Sequence, residues 1–449
     1  MQPTSRLKIG YLWQSDQSEM DKHLATNLHV QAVVQRLLAH EHTVRMVAVP
    51  DGKHKWSDDL KNWRTARLGA SFEKAWFPPL ESAVRRLQSM LHLPYINLFD
   101  SQRYAEACMS ALTGFDVLYE RYWMMNYGGV FAARRLGIPL VLEVNGDIYE
   151  EYAQLGIKLS LPQWLAIDQI NRFIFHNAAH VVAVSEPLRQ RLIERWRIPE
   201  AKISTVDNGA DLSLFVAPEI PANLPVFLRF LEEEPATPMI TFVGSFKPWH
   251  GIDLLLEAFK QVSEQIPNAR LMLVGDGPLR SEIEKQVSVL RLSSRVIFTG
   301  RVRHQDVPFL LRLSQVAVLA PRPTGASAAQ SPLKLFEYMA VGKAIVAPAT
   351  LNVEQVLTHG VNGLLTPPND VNALAQAFIQ LLGDEELRRQ LGAAAQRDAV
   401  AKYSWNTTVA KIESILYQVI QTAPAAPTAA PTAAPTYAPI IDEKKHECA

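Results

Sequence analysis

Short apolar runs alternate with amphipathic stretches along most of this chain. Residues 8–13, 42–49, 116–119, 140–144 and 180–184 read as strands, because brief apolar runs bounded by polar or turn residues suit a buried pleated segment. Helical periodicity falls between them, at 28–38 and in the stretch ending at Leu136, and Ser185-Glu186-Pro187 marks another helix start. A second series of strands follows at 238–243, 270–274, 296–299, 316–319 and 344–348, with a helix at 252–265. Repeated strand–helix units of this length predict an α/β protein with two parallel sheets, each covered on both faces.

Two stretches break the alternation. Residues 56–112 read as a mostly helical insertion that carries Trp56, Trp63 and Trp76 together with Arg64, Arg67, Arg85 and Arg86. Either these aromatics pack the insertion onto its own domain, or they form a patch for a membrane interface or an acceptor. From Thr422 onward Ala, Pro and Thr dominate, with Pro-Thr-Ala-Ala-Pro repeated, so a disordered tail is expected. The cluster Asp207-Asn208-Gly209-Ala210-Asp211 reads as a domain exit. The expected division is an N-terminal unit over 1–212, rejoined by a helix at about 404–421, a C-terminal unit over 213–403, and a tail over 422–449.

Composition adds exclusions. The chain has 449 residues with 45 Lys+Arg against 45 Asp+Glu, so nothing in its net charge steers it toward nucleic acid. Its two cysteines, Cys108 and Cys448, build no disulfide framework and fit a reducing compartment. No run is apolar for long enough to span a bilayer. The expected location is cytoplasmic, with peripheral contact at the inner membrane face through the insertion.

The chemistry concentrates at Ser331-Pro332-Leu333-Lys334-Leu335-Phe336-Glu337. Ser331 stands where an N-cap belongs and Pro332 suits the first turn. Leu333, Phe336, Met339 and Ala340 recur at helical spacing, and Gly342 ends the helix. Lys334 and Glu337 lie three apart on one face, beside a helix N-terminus that attracts anions. A phosphate there gains a cation, and the carboxylate can accept from sugar hydroxyls. The loops after successive strands carry Gly244, Gly277 and Gly300, where backbone can approach a ligand closely. His29, at the start of the first helix, either faces the crevice or sits on the surface.

Taken together, these residues resemble the family-4 retaining glycosyltransferases, whose GT-B fold sets two Rossmann-like domains face to face. The marks are Glu120-Arg121-Tyr122, Glu143-Val144-Asn145-Gly146, Asn208-Gly209-Ala210-Asp211, Val274-Gly275-Asp276-Gly277-Pro278, Phe298-Thr299-Gly300-Arg301 and the stretch from Gly244 to Gly251. The resemblance implies transfer of a sugar from a nucleoside diphosphate sugar to a glycan, lipid-linked or small acceptor, with retention and without a bound metal or other cofactor. It implies Glu337 on the ribose and Ser331, Leu333 and Lys334 at the diphosphate, with Gly244, Ser245, Lys247, His250, Gly277, Gly300 and Arg301 lining the donor site. Asn145, Glu143 and His29 are its catalytic candidates.

The chain departs from the family pattern in several places. Ala329 stands where a second glutamate belongs, Ser245 and His250 replace an Arg and a Lys, and Asn145 replaces a histidine. Lys247 and Lys334 are candidates to supply the lost positive charge. The missing glutamate and histidine leave a second reading open, a catalytically impaired nucleotide-sugar-binding or scaffold protein of a glycan-assembly system. An epimerase or phosphorylase on the same fold is a third.

Overall fold

The computed structural model describes residues 6–16, 24–69, 72, 74, 76–90, 98–147, 149, 158–216, 237–322 and 331–422. Ala329, Cys448, the tail beyond Thr422 and part of the polar loop after the first strand lie outside these residues.

The first half is built on eight strands: β1 (Lys8–Asp16), β2 (Thr43–Val49), β3 (Lys55–Ser57), β4 (Arg64–Thr65), β5 (Val117–Arg121), β6 (Leu140–Val144), β7 (His180–Ala183) and β8 (Ile203–Thr205). They lie in the order β4-β3-β2-β1-β5-β6-β7-β8. All pairings from β2 through β8 are parallel. The period-two alternation of β1 places Ile9, Tyr11 and Trp13 on one face and Leu12 on the other.

Ile9, Tyr11 and Trp13 share one cluster with Val30, Val33, Val34 and Leu37 of the helix Leu24–Ala39. Trp405, Val409, Ile412, Leu416 and Val419 complete that cluster from the helix Trp405–Thr422, at the other end of the described chain. The sheet core is therefore closed by the last helix, not by its sequence neighbours alone.

The 56–112 stretch is less helical than its sequence suggests. β3 and β4 add two antiparallel edge strands, with Trp56 opposite Val47 on one side and Arg64 on the other. The Arg45 and Arg64 guanidinium carbons lie 4.1 and 4.9 Å from the Trp56 ring centroid, so this aromatic packs the edge onto its own half. Two helices follow, Phe77–Met90 and Leu98–Leu112. The first leaves Leu80, Leu87 and Met90 exposed, with Trp76 beside it.

The second half has six strands, β9 (Met239–Val243), β10 (Arg270–Val274), β11 (Val296–Gly300), β12 (Val316–Val318), β13 (Ala344–Pro348) and β14 (Leu364–Thr366), in the parallel order β11-β10-β9-β12-β13-β14. Ile240 and Phe242 of β9 bury one face against Leu255, Leu256 and Phe259 of the helix Ile252–Gln265. Helix Leu333–Val341 covers the other face through Leu335, Phe336, Met339 and Ala340, with Ala395 and Ala399 behind it.

The chain crosses between the halves twice, at one place. Ala210 donates to the Tyr403 carbonyl at 2.9 Å, and Trp405 donates back to the Ala210 carbonyl at 3.2 Å. No described helix is long and apolar enough to cross a membrane.

Candidate functional site

The carboxyl ends of β9, β10 and β11 meet the N-terminus of helix Leu333–Val341, and glycines permit the meeting. A Cβ on Gly277 would lie 2.5 Å from the Phe246 nitrogen, so only glycine lets the loop after β10 press against the loop after β9. Gly244 has φ 152° and sits under Lys334, whose Nζ would be 2.9 Å from an added Cβ. Gly244 donates to the Val274 carbonyl at 2.9 Å, and Gly275 to the Gly300 carbonyl at 3.0 Å. Tyr338 accepts from the Val243 amide at 2.9 Å, which ties the helix to the end of β9.

The helix start differs from its sequence expectation. Helix dihedrals begin at Leu333, Pro332 is the cap residue with extended φ and ψ, and no side chain caps the end. Ser331 is engaged elsewhere: its hydroxyl and carbonyl accept from the Asn208 backbone and side-chain nitrogens at 3.4 and 3.2 Å. An interdomain contact therefore replaces the expected N-cap. Leu333 packs against the hydrophobic cluster of the first half.

Lys334 is the notable cation. Its Nζ lies 4.4 Å from the Phe242 ring centroid and makes no ion pair with any described carboxylate. Burial pushes its pKa down to about 7, against a weaker opposing pull from Glu337. His250 donates from Nδ1 to the Ser245 carbonyl. Burial, then the Lys334 charge, lowers its pKa to about 3, so it is neutral. Lys247 stacks its Nζ 4.9 Å over the Trp249 ring. Arg301 is exposed at the mouth of the loop after β11.

Glu337 is 9% exposed and holds a partner that its sequence neighbours do not announce. His304 Nε2 donates to its Oε1 at 2.6 Å. Burial alone would lower the His304 pKa, but the Glu337 bond and charge, with Asp211 behind, raise it.

Across the boundary, the three catalytic candidates of the first half form one cluster, with His29 and Glu143 buried and Asn145 half-buried. His29 lies in the second turn of its helix rather than at its opening, and is 3% exposed. Its Nε2 donates to Glu143 at 2.9 Å and its Nδ1 faces Asn208 Oδ1 at 2.8 Å. Glu143 also accepts from the Tyr119 hydroxyl, from Arg121 at 3.1 Å and from Asn145 Nδ2 at 2.6 Å. Burial would raise the Glu143 pKa, yet His29, Arg121 and Tyr119 together hold it well below the usual carboxylate range. Glu120, also buried, has less company: Gln14 donates to its Oε1, its Oε2 has no hydrogen-bond partner among the described residues, and burial raises its pKa to about 8.

Sequence reasoning passed over His304, a lone histidine in a polar loop. Asn208 stands in the sequence as part of a turn cluster and a family mark, with nothing to tie it to His29. Neither has a spacing signature, since their partners are 33 and 179 positions away. Among the described residues no group of three or more His, Cys, Asp or Glu side chains could hold a metal ion.

Comparison with known proteins gives this geometry a context. Residues 25–209 match the family described as "Glycosyl transferase 4-like domain" and residues 228–398 match "Glycosyl transferases group 1". An uncharacterised glycosyltransferase of Methanocaldococcus jannaschii is 24% identical over 310 residues, which is 68% of this chain and 75% of the relative. The alpha-D-kanosaminyltransferase of Streptomyces kanamyceticus is 23% identical, over 64% of this chain and 72% of the relative. Among solved structures, HepE of Anabaena in complex with UDP superposes with a TM-score of 0.65 at 19% identity, covering 92% of this chain and all of HepE. HepE is also known in complex with UDP-glucose.

Proposed function

Because the chain belongs to the GT4-type glycosyltransferases with the GT-B fold, we propose that it takes its sugar from a nucleoside diphosphate sugar bound at the β9–β11 strand ends, with retention and without a metal. The observation that carries this reading is Lys334: a half-buried ammonium, without a carboxylate partner among the described residues, next to helix amides and Gly244. The UDP and UDP-glucose complexes of HepE favour a uridine nucleotide as the donor to try first.

In this reading the amides of Leu333 and Lys334, with the Lys334 ammonium, take the charge that gathers on the departing diphosphate. They thus perform the part that a divalent cation plays elsewhere, which is the basis for proposing metal independence. Glu337 accepts from the ribose, while Gly277 and Gly300 let the base lie against backbone. Ser245 and neutral His250 shape the loop rather than add charge, and Lys247 and Arg301 flank it. The sugar passes through an oxocarbenium-like state. Asn145, fixed by Glu143, offers its amide oxygen from the opposite side of the cleft.

The acceptor, a saccharide or a lipid-linked saccharide, is assigned to the first half. Exposed Trp76, Leu80, Leu87 and Met90 with Arg86 on the insertion suit a membrane surface carrying such an acceptor. Cosedimentation with anionic vesicles tests this, and equal recovery with neutral vesicles and with none argues against it. For the reaction, wild type is incubated with UDP-sugars and EDTA, and the anomeric configuration of the product is read by NMR. An inverted product or a reaction lost to EDTA overturns the corresponding part.

A further inference from the structure

His304 stands in the turn His304–Asp306, just after β11. Arg303 pairs with Asp306 through two bonds of 2.9 and 3.0 Å, which closes the turn. The imidazole lies edge-on to Phe215, centroid distance 5.9 Å, on the short helix Leu212–Val216 where the chain leaves the first half. From that position Nε2 reaches the Glu337 carboxylate at 2.6 Å.

The geometry divides the two oxygens of Glu337. Oε1 is taken by His304, and Oε2 accepts no hydrogen bond from any described residue. A carboxylate on a flexible side chain loses rotamer freedom when it binds a diol, and a fixed partner on one oxygen removes part of that cost beforehand. We propose that His304 is a positioning residue for the nucleotide ribose: it clamps Oε1 of Glu337 so that Oε2 is left aimed to accept from the ribose hydroxyls. The inference rests on the donor reading above.

The second observation concerns charge. Glu337 would otherwise bring a bare negative charge close to a bound diphosphate. Glu337 and Asp211 both act to keep the proton on His304 against burial, and Asp211 is itself bonded to Arg36 of the first helix at 3.2 Å. His304 thus compensates the carboxylate locally, and Lys334 remains for the phosphates.

The test exploits the fact that this role acts only through the ribose. Calorimetric titrations use uridine diphosphate and its 2′,3′-dideoxy analogue, with the guanosine and adenosine pairs run alongside, against wild type, His304→Ala and His304→Gln. For the nucleotide that wild type binds, His304→Ala weakens binding of the ribose form about tenfold, as expected for one charge-assisted hydrogen bond. The dideoxy form, which offers no hydroxyl to Glu337, binds wild type and His304→Ala alike. His304→Gln, which still donates one hydrogen bond, recovers part of the loss.

Equal losses for both nucleotides in His304→Ala mean that the residue only supports the loop, and the inference falls while the donor reading stands. Unchanged affinity for the ribose form overturns it likewise. If wild type binds no nucleoside diphosphate at all, both fall together.

Discussion

His29 and Asn208 face each other at 2.8 Å, 179 residues apart, and through that contact the core of one half reaches the start of the helix Leu333–Val341 in the other. Asn208 Nδ2 donates to the Ser331 carbonyl, so its Oδ1 is the atom turned to His29 Nδ1. Glu143 accepts from the other ring nitrogen. With a partner on each ring nitrogen, the imidazole is pinned between Glu143 and Asn208.

Removing the imidazole takes one partner away from a buried carboxylate. His29→Ala is expected to destabilise the protein by about 3–5 kcal/mol, the usual cost of breaking a buried pair from one side. Urea denaturation followed by tryptophan fluorescence measures it. A loss under about 1 kcal/mol would mean that Tyr119, Arg121 and Asn145 suffice for Glu143.

Glu120 predicts the opposite response to mutation. Its pKa is about 8 in the folded protein and lies in the ordinary carboxylate range when unfolded. The folded state therefore holds the extra proton between about pH 4.5 and 8, and this group's contribution to stability falls as pH rises through that window. Glu120→Gln keeps the shape and removes the titration. It should melt higher than wild type at pH 8 and show a flatter pH profile; identical profiles would refute the assignment.

On the proposed donor reading, Lys334 makes nucleotide affinity depend on pH. With its pKa near 7, the ammonium is mostly present at pH 6 and mostly absent at pH 8 in the unliganded protein. A bound diphosphate favours the charged form, so binding at pH 8 takes up a proton. Calorimetry in buffers of different ionisation enthalpy detects that uptake. Lys334→Ala should abolish it and weaken nucleotide binding tenfold to a hundredfold, roughly 1.5–3 kcal/mol for a charge-assisted contact.

Gly277→Ala tests the loop packing. The new methyl would meet the Phe246 backbone at 2.5 Å, and backbone does not yield as a side-chain tip does. A destabilisation of about 1–3 kcal/mol is expected, together with weaker nucleotide binding. A variant with wild-type melting and affinity would show that the two loops separate easily.

Truncation after Thr422 keeps every described contact of the last helix. Its melting temperature should match that of the full chain. A drop of several degrees would assign the removed residues a structural part.

The strands of both sheets were legible because buried parallel strands read as bare apolar runs, and β1, β6 and β13 are such runs. β3, β4, β8 and β14 were not: each has only two or three residues, too few for an apolar run, and three of them end a sheet, where an edge strand needs none. The helix Leu333–Val341 was visible from its spacing, but its first residue was misplaced because Asn208 competes for Ser331. His304 and the His29–Glu143 pair were hidden for one reason: each is a contact across the fold, and local sequence carries no record of a distant partner.

The double crossing at Ala210 and Tyr403–Trp405 also bears on how the molecule comes into being. The second half, with its sheet and the helices that cover it, is complete once residues through Lys402 have been synthesised. The first sheet leaves the ribosome earlier, yet one face of its core waits for Trp405, Val409, Ile412 and Leu416. Domains commonly finish in order of synthesis. Here the half that emerges first is the half that closes last, and the face carrying Ile9 and Tyr11 has the helix Leu24–Ala39 over it but lacks Trp405, Val409, Ile412 and Leu416 until translation passes Val419.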